Sequence, residues 1–271
     1  MKKINAAIII TSIIMLITMI SCGTQAGQEG PELGDKALFN AGLKYMEDED
    51  WMDAISVFNT FETNFPNSVY YKQVRLKRAD AMFGRNMRSV FIEAEAEYKA
   101  YITLYPTAEN LDYVQKQIAL CHWKRKRSYK NDQEETRRTL QELDIFLKKY
   151  PNSKYLDEVK EIYDEARNHL GMHEAYVADF YFSTNKATAA KGRIEKALEL
   201  VDSPEYRYGL LGLYLDILDA EGNGDEVRAA ITKIEAELEK ASKKDMPDLP
   251  ELESKIKDYK AKYKNTPESR E

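Results

Sequence analysis

His169, His173 and Glu174 are the residues of this chain with the most obvious capacity for chemistry. Two histidines four apart share one helix face, a spacing at which a zinc ion takes two ligands. The order here is His-x-x-x-His-Glu, not the His-Glu-x-x-His of zinc hydrolases, and no third ligand stands nearby. The cluster is read as structural or partner-facing, and no metal is expected. His122, the remaining histidine, sits beside Trp123 with nothing placed to join it. Glycine-rich phosphate loops, Gly-x-Ser-x-Gly elbows and Cys-x-x-Cys pairs are missing from the sequence. No catalytic residue and no cofactor is expected.

The two cysteines differ in kind. Lys2 and Lys3 precede an apolar run from Ile4 to Ile20, which stops at Ser21-Cys22-Gly23. A basic start, an apolar middle and a small residue before the break make a secretory signal over residues 1–21. Met19-Ile20-Ser21-Cys22 resembles the bacterial lipobox, with methionine where leucine is usual. Cys22 is therefore the expected lipidation site and mature N-terminus, followed by a polar linker over 22–34. The alternatives are a plain signal peptide or an uncleaved anchor. Acyl chains on one cysteine anchor stably only when more than one is present. With Cys22 acylated, Cys121 has no disulfide partner, and its apolar setting Ile118-Ala119-Leu120 reads as core.

Forty basic and 46 acidic residues give a formal charge of −6. Losing Lys2 and Lys3 leaves 38 basic against 46 acidic, about −8. That balance argues against nucleic-acid binding, which needs a basic face to neutralise phosphates. The exception is Lys124-Arg125-Lys126-Arg127, directly after Trp123. It reads as a solvated helix end, with a docking patch for an acidic partner or an anionic lipid surface as the alternative.

What positions these residues is helical. Glycine (12) and proline (8) are scarce, and credible alternating strand patterns are absent from the mature sequence. Leu38, Ala41, Gly42 and Tyr45 share one helix face, Asp48-Glu49-Asp50 interrupts, and Trp51, Ala54, Ile55, Phe58 and Phe61 form a second stripe that Pro66 ends. Phe65-Pro66-Asn67-Ser68, Tyr105-Pro106-Thr107 and Tyr150-Pro151-Asn152-Ser153 repeat the closing phrase. Ala178, Tyr181, Ala190, Ile194 and Ala197 lead to Pro204 in the same way. The small, aromatic and proline positions are those of the tetratricopeptide repeat. The predicted fold is all-α, a tetratricopeptide-repeat-like superhelix of about five helix pairs over residues 35–238. Pro66, Pro106, Pro151 and Pro204 lie 40, 45 and 53 apart rather than at an even repeat, so some units are lengthened. Tyr155 to Phe182 reads as one long helix with Gly171 as its weak point. The charged tail over 239–271 carries Leu252, Ile256, Tyr259 and Tyr263 at helical spacing, which reads as a short exposed helix followed by disorder.

Four phrases in order give a more specific resemblance. They are Asp132-Gln133, then Phe146 to Tyr155, then His173-Glu174-Ala175-Tyr176-Val177-Ala178-Asp179-Phe180-Tyr181, then Ala189-Ala190-Lys191-Gly192-Arg193. Over residues 33–238 the chain resembles the BamD family, the lipoprotein subunit of the outer-membrane β-barrel assembly machinery. Lys77-Arg78-Ala79-Asp80-Ala81-Met82 departs from that family's second repeat. The resemblance implies a non-enzymatic scaffold, lipid-anchored on the periplasmic face of the outer membrane. Its partners would be a barrel subunit with periplasmic domains and unfolded outer membrane proteins. It implies partner-binding roles for Arg193, His173 and Glu174, and substrate-facing roles for Phe39, Tyr45 and Tyr70. Another envelope repeat lipoprotein, serving division, pilus or secretion complexes, is the alternative; a periplasmic enzyme with a repeat domain has too little titratable material.

Cys22→Ser is expected to leave an unprocessed or soluble species. Mass spectrometry of the wild-type protein checks this, and residues 1–21 still attached would contradict it.

Overall fold

The computed structural model describes residues 34–240 and 248–264. The signal segment, Cys22 and nearly all of the linker lie outside the described residues. Eleven helices are described: α1 Asp35–Glu47, α2 Trp51–Asn64, α3 Tyr71–Gly84, α4 Val90–Leu104, α5 Leu111–Arg125, α6 Glu134–Lys149, α7 Leu156–Ser183, α8 Ala187–Leu200, α9 Pro204–Glu221, α10 Gly224–Lys240 and α11 Leu249–Tyr263. Each packs on the next in sequence, and α1 to α10 form five antiparallel pairs in a stacked array.

Three of the pairs end in the same way. Phe65, Tyr105 and Tyr150 stand just before a proline, which disfavours helical backbone at the preceding residue. All three leave the helix with φ near −129° and ψ between 52° and 60°. Each still donates its N–H to the carbonyl four back, at 2.8–2.9 Å. Each also tilts its ring against the aromatic four residues earlier: Phe61, Tyr101 and Phe146, at 5.5, 5.0 and 5.6 Å. The proline thus stops the helix, while the aromatic pair fixes how the chain turns into the next one.

Small residues set the spacing between helices. Gly42 faces the Phe58 ring so closely that a Cβ there would overlap it. Ala54, Ala94, Ala178, Ala190 and Ala197 are fully buried at the corresponding contacts. Around them lie Phe58, Phe61, Tyr98 and Phe146, each with no exposed surface. Truncating one of these phenylalanines to alanine would cost about 3–5 kcal/mol.

α7 runs 28 residues without a break at Gly171. Its first half, through Val159, packs on Leu143 and Phe146 of α6. Its second half, through Ala175 and Ala178, packs on Ala190, Ile194 and Ala197 of α8. One helix of double length therefore serves two successive interfaces, which accounts for the long interval from Pro151 to Pro204.

The tail is more ordered than its charge implied. The expected exposed helix is instead a packed one: Leu252 and Ile256 of α11 are buried against Tyr208, Leu211 and Leu215 of α9 and Ile231 and Ile234 of α10. Asp216 accepts from Lys255 (2.6 Å) and Tyr259 (2.8 Å), and Asp219 accepts from Tyr263 (2.6 Å). A terminal helix with one apolar and one polar face closes the open end of a repeat array.

Gly171 and Gly192 test this packing as a pair. A Cβ at Gly171 would collide with the Val201 side chain, whereas Gly192 on α8 has open space. Gly192→Ala is expected to stabilise by about 0.5–1 kcal/mol through helix propensity. Gly171→Ala gains the same propensity but loses about 1–3 kcal/mol to overpacking. Urea unfolding of both variants should give midpoints on opposite sides of the wild type.

Candidate functional site

Two regions collect the residues that the sequence singled out. The first is a groove of about 690 Å³ along α1, α3, α5 and the start of α7. Phe39, Leu76, Tyr101, Tyr113 and Tyr155 supply its apolar walls, and Lys72, Lys77 and Glu109 its charge. Phe39 is held by a stack on Tyr70, with centroids 5.1 Å apart and planes 17° from parallel. The structure thus brings Phe39 and Tyr70 together. It leaves Tyr45 apart: six residues further on is about 240° round the helix, and Tyr45 does not line the groove.

The second unit differs from its neighbours in the turn that lines the groove. In the first unit Ser68 Oγ donates to Asp35 at 2.7 Å and accepts from the N–H of Tyr70. In the third, Ser153 Oγ donates to Asp112 at 2.6 Å and accepts from the N–H of Tyr155. Each serine clasps its turn to the start of the unit's own first helix. In the second unit Ala108 stands where the serine would be, and Lys72 where the aspartate would be. Both halves of the clasp are replaced together, and both replacements line the groove.

Beneath the groove floor lies a hub that the departing phrase Lys77 to Met82 builds. Asp80 accepts from Tyr98 (2.8 Å), Tyr113 (2.9 Å) and Lys77 (3.0 Å), and Gln117 donates to the Tyr113 hydroxyl at 2.9 Å. Burial and the Asp80 charge push both phenols well up, so they remain donors at any physiological pH. Ala79 and Ala81 on either side are fully buried. The stretch that looked least like a repeat is therefore a core contact with a polar centre.

The second region centres on Glu174 in α7, whose side chain is 1% exposed. Arg193 Nη1 donates to one carboxylate oxygen at 2.7 Å and Lys196 Nζ to the other at 2.6 Å, both from α8. Burial alone would raise this carboxyl's pKa, but the hydrogen bonds from Lys196 and Arg193 outweigh it and hold the group below its usual range. Arg193 and Lys196 remain about half exposed, so two cations share one buried anion and a net positive charge faces solvent. His173 does not join the ion pair. Its Nδ1 donates to the Tyr129 carbonyl at 2.6 Å, and Nε2 of His169 donates to that of Arg127 at 2.9 Å. Both rings fasten the connection between α5 and α6.

One residue of the basic run is not solvated. Arg125 is 3% exposed and reaches the Phe91 carbonyl (3.2 Å), Glu95 (2.6 Å) and Glu135 (3.0 Å), with His122 between the same two carboxylates. The carboxylates that bury it are 30 residues upstream and 10 downstream, so no local spacing marked it.

Stacked antiparallel pairs, an open groove and a partly exposed charge cluster define a helical-repeat scaffold. The particular family follows from comparison: residues 31–214 match the YfiO model, described as an outer membrane lipoprotein, and the chain belongs to that family. A relative from Caulobacter vibrioides named outer membrane protein assembly factor BamD is 22% identical over 78% of this chain and 70% of its own. Proteins of the same name from Vibrio cholerae (21% identical; 73% and 85% covered) and Pasteurella multocida (22%; 87% and 92%) are similar over comparable lengths. Among solved structures, a thermophilic tetratricopeptide-repeat protein from Thermus thermophilus aligns over 83% of this chain and 98% of its own, at 13% identity and a TM-score of 0.34.

The depressed Glu174 carboxyl contributes stability above its unfolded pKa, and that contribution is lost as pH falls through the folded value. Glu174→Gln is expected to cost about 1–3 kcal/mol at pH 7. The deficit should shrink in acid, as pH falls below the ordinary glutamate range and through the depressed folded value, where wild type also loses the charge. Urea unfolding at the two pH values checks both.

Proposed function

We propose that this chain is a lipid-anchored scaffold subunit for outer membrane β-barrel protein assembly, acting by binding rather than catalysis. The observation that carries the reading is family membership together with relatives that share the name of assembly factor. Cys22 would tether it to the periplasmic face of the outer membrane. The first three units would receive unfolded outer membrane proteins, and the fourth would dock on the periplasmic domains of a barrel subunit.

The groove supports the first of these roles. An extended, partly folded client offers aromatic side chains and backbone carbonyls. Stacked rings take the former, and Lys72, released from any clasp, can donate to the latter or to a carboxylate. The Glu174 node supports the second. Arg193 is fixed by one strong hydrogen bond, yet keeps guanidinium donors free for a partner carboxylate. His173 and Glu174 then act as positioning residues, His173 through the Tyr129 carbonyl and Glu174 through Arg193. Tyr45, outside the groove, is left as a rim contact for a longer client.

Two sets of variants separate the roles. Ala108→Ser with Lys72→Asp restores the clasp and should lower cross-linking to an unfolded outer membrane protein while leaving barrel-subunit pull-down unchanged. Arg193→Leu should weaken that pull-down by about 2–5 kcal/mol, with Arg193→Lys recovering part of it. Unchanged pull-down with an unchanged melt would remove Arg193 from the interface, and a lowered melt alone would confine it to the ion pair with Glu174.

A further inference from the structure

The connection between α5 and α6 runs eight residues from Lys126 to Gln133, and it is held rigidly. The buried Gln133 amide donates to the carbonyls of Ser128 (3.0 Å) and Asn131 (2.8 Å) and accepts from Thr136 (3.0 Å). His169 and His173 pin it to α7 as described above. On this frame stand two partly exposed rings, Trp123 and Tyr129, each edge-on to His169, and Tyr129 is also edge-on to exposed Tyr176.

Lys124, Lys126, Arg127 and Lys130 flank these rings in sequence, and none has an ion-pair partner among the described residues. Lys126 lies over the Trp123 face at 3.9 Å, and Lys130 over Tyr129 and Tyr176 at 5.9 and 5.7 Å. The acidic groups nearby are few: Glu165 acts on Lys126 at a distance, Asp132 caps the start of α6, and Glu135 is taken up by Arg125. On a chain of net charge −6 this is a local reversal of sign, built of tryptophan, tyrosine, lysine and arginine. Those are the residue types that settle at a membrane–water interface, rings at headgroup depth and cations toward phosphate.

From this we infer that the α5–α6 edge rests on the phosphate headgroups of anionic phospholipid and so sets the orientation of the array on the membrane. The inference rests on the anchored reading of Cys22. A chain tethered to the bilayer meets headgroups at high effective concentration, so a small patch suffices to orient it. The reach is adequate. Asp35 at the start of α1 touches Ser68, in a turn between units, so the anchor joins at the edge opposite the patch. α5 between the two edges is 15 residues, about 22 Å. The stretch from Cys22 to Gly34 spans up to about 40 Å when extended.

The full lipidated chain tests this. Cys121 is buried, so Ser128→Cys in the loop and, separately, Asn67→Cys at the opposite edge each present one exposed thiol for a fluorophore. Each is reconstituted in vesicles of phosphatidylcholine, with or without phosphatidylglycerol, carrying a headgroup energy-transfer acceptor. Transfer from position 128 should rise with phosphatidylglycerol and exceed that from 67. It should be lost in high salt and in Lys124→Glu/Arg127→Glu, two exposed positions whose change leaves the melt intact. Lys130→Glu serves if that pair misfolds. Equal transfer with and without phosphatidylglycerol, or in the charge-reversed variant, overturns the inference and leaves the patch to an acidic protein segment. Failure of wild type to float with vesicles at all would instead sink the anchored reading, and the orientation with it.

Discussion

The array depends on how closely its helices approach. Gly42 admits the Phe58 ring and Gly171 admits the Val201 side chain, and buried alanines repeat that contact along the chain. Nothing covalent backs this up among the described residues. Cys121 is a buried free thiol, its pKa pushed up to about 12 by burial, and so inert toward exchange. Dispersion and burial must therefore hold each unit to its neighbour, and both fall away steeply when a contact loosens. Every surface feature is aimed by that packing: the groove exists because α1, α3, α5 and α7 sit side by side, and the Glu174 node because α8 lies flush on α7.

Against this regular frame, the informative places are where the repeat breaks. Ala108 and Lys72 drop a clasp that Ser68 and Ser153 keep, and the groove opens there. α7 doubles in length and carries the charged node in its second half. The α5–α6 connection lengthens and gathers bare cations. A repeat array needs its small and aromatic positions for stability, so it is free to vary the residues between them, and site chemistry accumulates in those.

Much of the frame was readable from the chain. Pro66, Pro106 and Pro151 mark helix ends because the constraint on the residue before a proline is local, and the Gly42–Tyr45 and Ala54–Phe58 stripes follow from helical period alone. The resemblance singled out Arg193 and Glu174 but not their pairing, which needs α8 laid on α7. Arg125 looked solvated because its carboxylates are distant in sequence. α11 looked exposed because its apolar face is narrow: Leu252 and Ile256 are few, and the Asp216 and Asp219 contacts that complete the packing are some 40 residues away. Local signals gave the elements, and the charged contacts between elements required the fold.

The central claim is that this scaffold works inside the outer-membrane β-barrel assembly machinery. Affinity purification of the full chain from detergent-solubilised membranes tests it most directly, followed by identification of the major stoichiometric partner. The account predicts an integral β-barrel protein bearing repeated periplasmic domains. Recovery of a pilus, division or secretion complex in its place, with no such barrel, would contradict it.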